Sequence, residues 1–74
     1  MSEKEQRLLQ KKILSFIQQR TAQKKMVDYS DVCLHLQMHY SIVYNAIETL
    51  VNQGKLIKKD FTIGALLEPA RKSF

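Results

Sequence analysis

The fold is decided by residues 31–56, which read DVCLHLQMHYSIVYNAIETLVNQGKL. In the second half of this stretch, apolar residues recur at the spacing of one helix face, and they are Val43, Ala46, Ile47 and Leu50. Gly54 follows, where a helix often ends on a left-handed residue. The stretch therefore predicts a helix over residues 40–53, preceded by a tight connection at residues 37–39.

A shorter helix is predicted over residues 29–36. Asp28 and Asp31 have the spacing of an acidic N-terminal cap, which also suits the positive end of a helix. Val32, Cys33 and Leu36 then supply its apolar side. We interpret Cys33 as a packing residue.

Working outward, the N-terminal segment predicts a helix over residues 3–20. Ser2 and Glu5 have capping-box spacing, and one apolar face follows, formed by Leu9, Ile13, Phe16 and Ile17. Leu8 and Leu14 lie off this stripe, so they either widen the core face or face a second subunit. Met26 and Val27 can form a very short strand before the second helix.

The C-terminal segment predicts a hairpin. Residues 55–59 and 61–67 have the pattern of two strands with a tip near Lys59 and Asp60, and residues 68–74 are predicted to be a mobile basic tail. The predicted fold class is mainly α with a small β-hairpin, in the order α-β-α-turn-α-β-β. This is the order of a winged helix-turn-helix domain, here over residues 1–67.

Residues 31–43 resemble the helix-turn-helix of bacterial regulators of the gluconate-repressor type. In that family an apolar and a small residue open the second helix, Leu closes it, a turn residue and an aliphatic residue follow, and Val begins the buried face of the recognition helix. The matching residues are Val32, Cys33, Leu36, Gln37, Met38 and Val43. The resemblance covers about residues 28–59, with two departures: Gln37 stands where Gly is usual, and His39 where Ser often caps the helix.

The resemblance implies sequence-specific binding of double-stranded DNA by a small transcriptional regulator. The third helix would lie in the major groove, and the hairpin of residues 55–67 would be a short wing on the backbone. The residues that would then face DNA are His39, Tyr40, Ser41, Tyr44 and Asn45, of which Asn45 can pair bidentately with adenine. Lysines placed to contact phosphate are Lys24, Lys25, Lys55, Lys58 and Lys59. Glu48 would repel phosphate, so we interpret it as a solubilising or specificity residue.

The composition favours a DNA-binding protein and disfavours a membrane protein, a metal site or an enzyme. A net charge of +5 favours a nucleic-acid partner. Short apolar runs, a polar N-terminus and a single cysteine favour a protein of the cytoplasm or nucleoid, without a membrane span. Cys33, His35 and His39 are too few to complete a tetrahedral metal set. No glycine-rich loop or nucleophile–base pair is present, so we expect no enzyme activity, no cofactor and no small-molecule ligand.

Two alternatives remain open. A winged helix that binds protein instead of DNA keeps the same core, and the absence of Lys and Arg from residues 40–53 favours it. A winged helix specific for Z-DNA would need Asn and Tyr where Tyr44 and Glu48 stand, and a Trp that this chain lacks. Direct duplex binding and its salt dependence discriminate between the first alternative and the regulator.

A single winged helix contacts few base pairs, so we expect a homodimer that spans two half-sites. The predicted interface consists of Leu8, Leu14, Leu66, Leu67 and Phe74. Since only a short tail follows the hairpin, we expect no effector domain. The chain is in this respect similar to the stand-alone regulators of phages, plasmids and archaeal viruses.

Overall fold

The computed structural model describes residues 2–62 and 64–70, which form three helices followed by a two-stranded antiparallel hairpin. The helices are α1 (Glu3–Ala22), α2 (Tyr29–Leu36) and α3 (Tyr40–Asn52), and the strands are β1 (Leu56–Phe61) and β2 (Gly64–Pro69). This mainly helical, winged-helix-like α+β fold confirms the predicted fold class. Within the described ranges, no helix has the length and apolar character needed to cross a bilayer.

Both predicted N-terminal caps form. Ser2 Oγ accepts the Glu5 backbone N–H at 3.2 Å, which begins α1 where the sequence places it. At α2, Asp28 Oδ1 accepts the Asp31 N–H at 2.8 Å, and Asp31 Oδ2 accepts the Asp28 N–H at 3.1 Å. These bonds satisfy N–H groups that a helix start otherwise leaves without partners. At α1 the Glu5 carboxylate accepts the Ser2 hydroxyl and not the Ser2 N–H, so the full capping box forms only at α2. Helix α1 continues two residues past its predicted end at Arg20.

The core is built from one apolar face of each helix and from two leucines of the hairpin. Leu56 and Leu67 close it from the hairpin side, and Val27 closes it from the loop between α1 and α2. The helical contribution comes from Leu9, Ile13, Phe16, Ile17, Tyr29, Val32, Val43, Ile47 and Leu50. The predicted stripe of α1 and the predicted inward face of α3 are therefore confirmed, apart from Ala46, which is only half-buried against this core.

The predicted strand at Met26 and Val27 does not form. One backbone hydrogen bond replaces it, from the Leu67 N–H to the Val27 carbonyl at 2.8 Å. Asp28 caps α2 immediately afterwards, so the extended segment is too short for a ladder. The observed order is α-α-α-β-β.

The hairpin reverses later than predicted. Lys59 pairs with Leu66, Asp60 with Ala65, and Phe61 with Gly64, so the turn lies between residues 61 and 64 and not at Lys59–Asp60. The second strand also extends beyond residue 67. Glu68 and Pro69, which the sequence assigned to a mobile tail, pair with Ile57 and Leu56. Residues 71–74 lie outside the described residues.

The burial of the leucines corrects the predicted dimer interface. Leu67 is only 2% exposed and belongs to the core, because it lies on the same hairpin face as Leu56. Leu14 is half-buried and packs against the core, so it widens the inner face of α1. Leu66 is half-buried on the opposite hairpin face, Leu8 is exposed, and Phe74 lies outside the described residues.

Candidate nucleic-acid interface

The N-terminal half of α3 presents several exposed side chains. Tyr40, Ser41 and Asn45 are exposed, as predicted, while Val43 and Ile47 anchor the helix in the core. Asn45 lies beside Gln6 and Gln10 of α1, in a shallow groove between the two helices. Ile42 is also exposed, next to Asn45 in the same groove. An amide and an aliphatic side chain are thus presented side by side.

The turn before α3 is made by the two residues that depart from the family pattern. Gln37 adopts the left-handed conformation, with φ of 53° and ψ of 42°, where Gly would be free of strain. His39 caps α3, since its Nδ1 accepts the Ser41 backbone N–H at 3.2 Å and lies 2.8 Å from Ser41 Oγ. The imidazole therefore fixes the helix start and also engages the Ser41 hydroxyl.

Three tyrosines form a row beside α3. The ring centroids of Tyr29 and Tyr44 are 5.2 Å apart, and those of Tyr44 and Tyr40 are 5.6 Å apart. The row runs from buried Tyr29 through half-buried Tyr44 to exposed Tyr40. Tyr44, predicted to point outward, is therefore partly used in packing.

Glu48 joins α3 to α2 and to the hairpin. The Tyr29 hydroxyl donates to Glu48 Oε1 at 3.2 Å, and Lys58 Nζ donates to the same oxygen at 3.4 Å. Lys58 also lies over the Tyr29 ring, with Nζ 5.8 Å from its centroid. We call Tyr29, Tyr44, Glu48 and Lys58 the Glu48 cluster. It fixes the hairpin against α3 with polar contacts that the sequence analysis did not predict.

The cluster shifts the ionisation of its members. Burial, reinforced by the neighbouring Glu48 carboxylate, raises the pKa of Tyr29 to about 12. A hydrogen bond from Tyr44 lowers the pKa of Glu48, although partial burial opposes this. Tyr29 and Glu48 together raise the pKa of Lys58. Around neutral pH the cluster thus contains a paired carboxylate and ammonium and two neutral phenols.

The five predicted phosphate-contacting lysines do not lie together. Lys58 faces an open groove that Tyr40 and Tyr44 also line, between α3, the start of α2 and the hairpin end; we call it the α3 groove. Lys59 points to the other hairpin face, where its Nζ is 3.1 Å from Glu68. Lys24 and Lys25 line a groove with Lys59 on that other side. Lys55 lies in a third place, beside Lys11 and Gln53.

Three residues of the α3 groove were missed. Tyr29 continues the apolar spacing of Val32, Cys33 and Leu36 toward the N-terminus, so the helical period carries a signal for it. Phe61 and Thr62 line the groove because the hairpin turn lies between residues 61 and 64 and not at Lys59–Asp60. No sequence signal shows that Glu48 reaches both Tyr29 and Lys58, since that contact depends on how three elements pack.

The histidine and cysteine considered as metal ligands in the sequence, His35 and Cys33, lie apart from this groove. The His35 ring stacks on Phe16, with centroids 4.1 Å apart. Burial raises the pKa of the half-buried Cys33 thiol, which disfavours the reactive thiolate. Among residues 2–62 and 64–70, no three His, Cys, Asp or Glu side chains are grouped closely enough to hold a metal ion.

Comparison of the chain with protein-family models, curated proteins and solved structures gives no match. The functional assignment therefore depends on the residues and their geometry.

Proposed function

We propose that this chain binds double-stranded DNA with the N-terminal half of α3 in the major groove. The observation that carries the proposal is the arrangement of α3: a capped, core-anchored helix whose first turns present Tyr40, Ser41 and Asn45 to solvent. A major groove accepts one such helix, and the first turns of a recognition helix meet the base edges. The proposed biological role is that of a small transcriptional regulator.

Asn45 is the proposed base-reading residue. Its amide has a donor and an acceptor, which match the N6 and N7 atoms of adenine. The adjacent Ile42 offers an aliphatic surface of the kind that packs against a thymine methyl group. Together they favour a site that contains an A·T step at this position.

Lys58 is the proposed phosphate contact on the α3 side of the hairpin. Glu48 offsets its charge in the free protein, so approaching phosphates must compete with that carboxylate. The exposed hydroxyl of Tyr40 is a neutral donor in the same groove. Cations bind the phosphates of any sequence, and few cations lie on the α3 face. We therefore expect the α3 face to bind its preferred site more tightly than random DNA.

Selection of bound duplexes from a random library tests the proposal. We expect an enriched motif, and a palindromic one if two copies bind together. Failure to enrich any motif, together with no binding at low salt, would remove the proposal.

A winged-helix module that binds protein is the second candidate function. Two observations favour it: α3 has no Lys or Arg between Tyr40 and Asn52, and Lys58 is paired with Glu48. A chain that folds normally but binds no duplex at low salt would support this function over DNA binding.

A further inference from the structure

Two shallow grooves meet at Met26, away from the α3 groove. One lies between the α1–α2 loop and the hairpin and is lined by Lys24, Lys25, Met26, Lys59 and Phe61. The other lies between α1 and α2 and shares Lys25 and Met26 with the first, adding Leu34. We call these six residues the Met26 surface.

The Met26 surface exposes large apolar side chains. Met26 is 77% exposed, Leu34 76% and Phe61 51%. Single exposed apolar residues are ordinary, but three that border two adjoining grooves are typical of an interaction site. Methionine also adapts its shape to varied partners, because its side chain is unbranched and flexible.

Positive charge borders the Met26 surface. Lys24, Lys25 and Lys59 line it together with Arg20, against two carboxylates, Asp31 and Glu68. Both carboxylates are already engaged. Asp31 accepts the Asp28 N–H at 3.1 Å, and Glu68 lies 3.1 Å from Lys59. Four cations therefore line the surface against two carboxylates. Because Lys59 is already paired with Glu68, Lys24 and Lys25 offer the positive charge with which carboxylates of a partner can pair.

The hairpin separates most of this surface from the α3 groove, and Phe61 at the hairpin end borders both. Directly opposite residues of an antiparallel pair lie on the same face of the hairpin, and Lys58 is opposite buried Leu67. Lys58 and Asp60 therefore lie on the face that Leu67 occupies. Lys59 and Phe61 lie on the other face. Lys58 and Asp60 line the α3 groove, and Lys59 lines the Met26 surface. A ligand on α3 leaves most of the Met26 surface open.

We propose that the Met26 surface binds an acidic polypeptide segment of a partner protein that carries apolar side chains. Carboxylates of the segment pair with Lys24 and Lys25, while its apolar side chains cover Met26, Leu34 and Phe61. A DNA backbone fits this surface less well, because phosphates would leave the three apolar side chains uncovered. The proposal goes beyond the proposed function and does not depend on duplex binding.

Selection from a displayed random-peptide library tests the proposal, with the full chain as bait. The double variant Met26→Ser/Phe61→Ser serves for counter-selection; both side chains are exposed, and circular dichroism verifies its fold. We expect enriched peptides that combine Asp or Glu with aromatic or aliphatic residues. Synthetic versions should lose at least about tenfold in affinity for the double variant, as expected for truncated interface anchors.

Two further variants separate the contributions. Lys24→Glu/Lys25→Glu should weaken the peptides at least about tenfold, because it reverses the charge that recognises them. Tyr40→Ser is the matched control, since it removes an exposed ring from the α3 groove and should leave peptide binding unchanged. Circular dichroism must show native helix content in each variant.

Three results would overturn the proposal. The first is no enrichment over the counter-selected pool. The second is enriched peptides without acidic residues, or ones that Tyr40→Ser weakens as much as the double variant. The third is that no peptide binds, whereas a different ligand binds through Met26 and Phe61. That ligand could be duplex DNA, an anionic lipid vesicle or a second copy of the chain.

Discussion

At the scale of single residues, Tyr29 shows how a buried phenol couples folding to pH. Its pKa is raised to about 12, so the folded state keeps the proton over a range in which the unfolded chain, with a phenol pKa near 10, loses it. The stabilisation is complete below about pH 10 and is lost as the pH rises toward about 12.

We therefore predict an alkaline loss of stability that depends on Tyr29. The free energy of unfolding, measured by urea denaturation, should fall between about pH 10 and about pH 12 in the native chain. Tyr29→Phe should reduce this fall, at a cost of about 0.5–1.5 kcal/mol near neutral pH from the lost hydrogen bond to Glu48. Tyr40→Phe is the control and should keep the fall. An equal fall in Tyr29→Phe would contradict the role of Tyr29.

The backbone conformation of Gln37 leads to a second prediction, about the stability of the turn before α3. Because it adopts the left-handed conformation at φ of 53°, Gln37→Gly should relieve strain. We expect the free energy of unfolding to rise by up to about 1 kcal/mol, since the flexibility of glycine in the unfolded chain offsets part of the gain. Thermal denaturation monitored at helix wavelengths measures this. A lower melting temperature would show that the Gln37 side chain stabilises the turn by more than its backbone costs.

At the scale of elements, the sequence predicted the helices better than the hairpin. Helices α1, α2 and α3 follow from caps and from the apolar period, because both signals are local. The hairpin turn was misplaced because Lys59 and Asp60 look like turn residues, whereas the pairing of Phe61 with Gly64 depends on the whole ladder. The burial of Leu67 is not predicted for the same reason, since the face on which its side chain lies follows from that register.

The register of the hairpin also separates two lysines that look equivalent in sequence. Lys58 faces α3, and Lys59 faces the Met26 surface. We predict that Lys58→Ala weakens duplex binding, because it removes a cation near α3 and leaves Glu48 without its partner. Lys59→Ala should leave duplex binding close to that of the native chain. Fluorescence anisotropy with labelled duplex compares them, and equal losses would contradict this assignment of faces.

At the scale of the whole molecule, the candidate site was predicted in part. The exposed residues of α3 follow from the inward positions of Val43, Ile47 and Leu50. The distribution of the lysines over three surfaces could not be predicted from the sequence, because the net charge does not show on which face of the fold each lysine lies. The burial of Leu67 likewise depends on the packing of the hairpin on the helices.

We keep the homodimer as a proposal, with Leu8 as an exposed residue of its predicted interface. Sedimentation equilibrium should give a dimer mass for the native chain and a monomer mass for Leu8→Ser with unchanged helix content. Leu67→Ala should instead lower the free energy of unfolding by about 2–5 kcal/mol, as for a buried leucine. A monomer mass for the native chain, with and without DNA, would exclude the dimer.

The central claim is that α3 reads duplex DNA, and one titration tests it most directly. The native chain and Asn45→Ala are titrated into labelled duplexes of selected and scrambled sequence, each at a low and a higher salt concentration. We predict tighter binding of the selected duplex, affinity that falls with salt, and a loss of about 1–3 kcal/mol on the selected duplex alone in Asn45→Ala. No binding of either duplex by the folded native chain at low salt would contradict the claim.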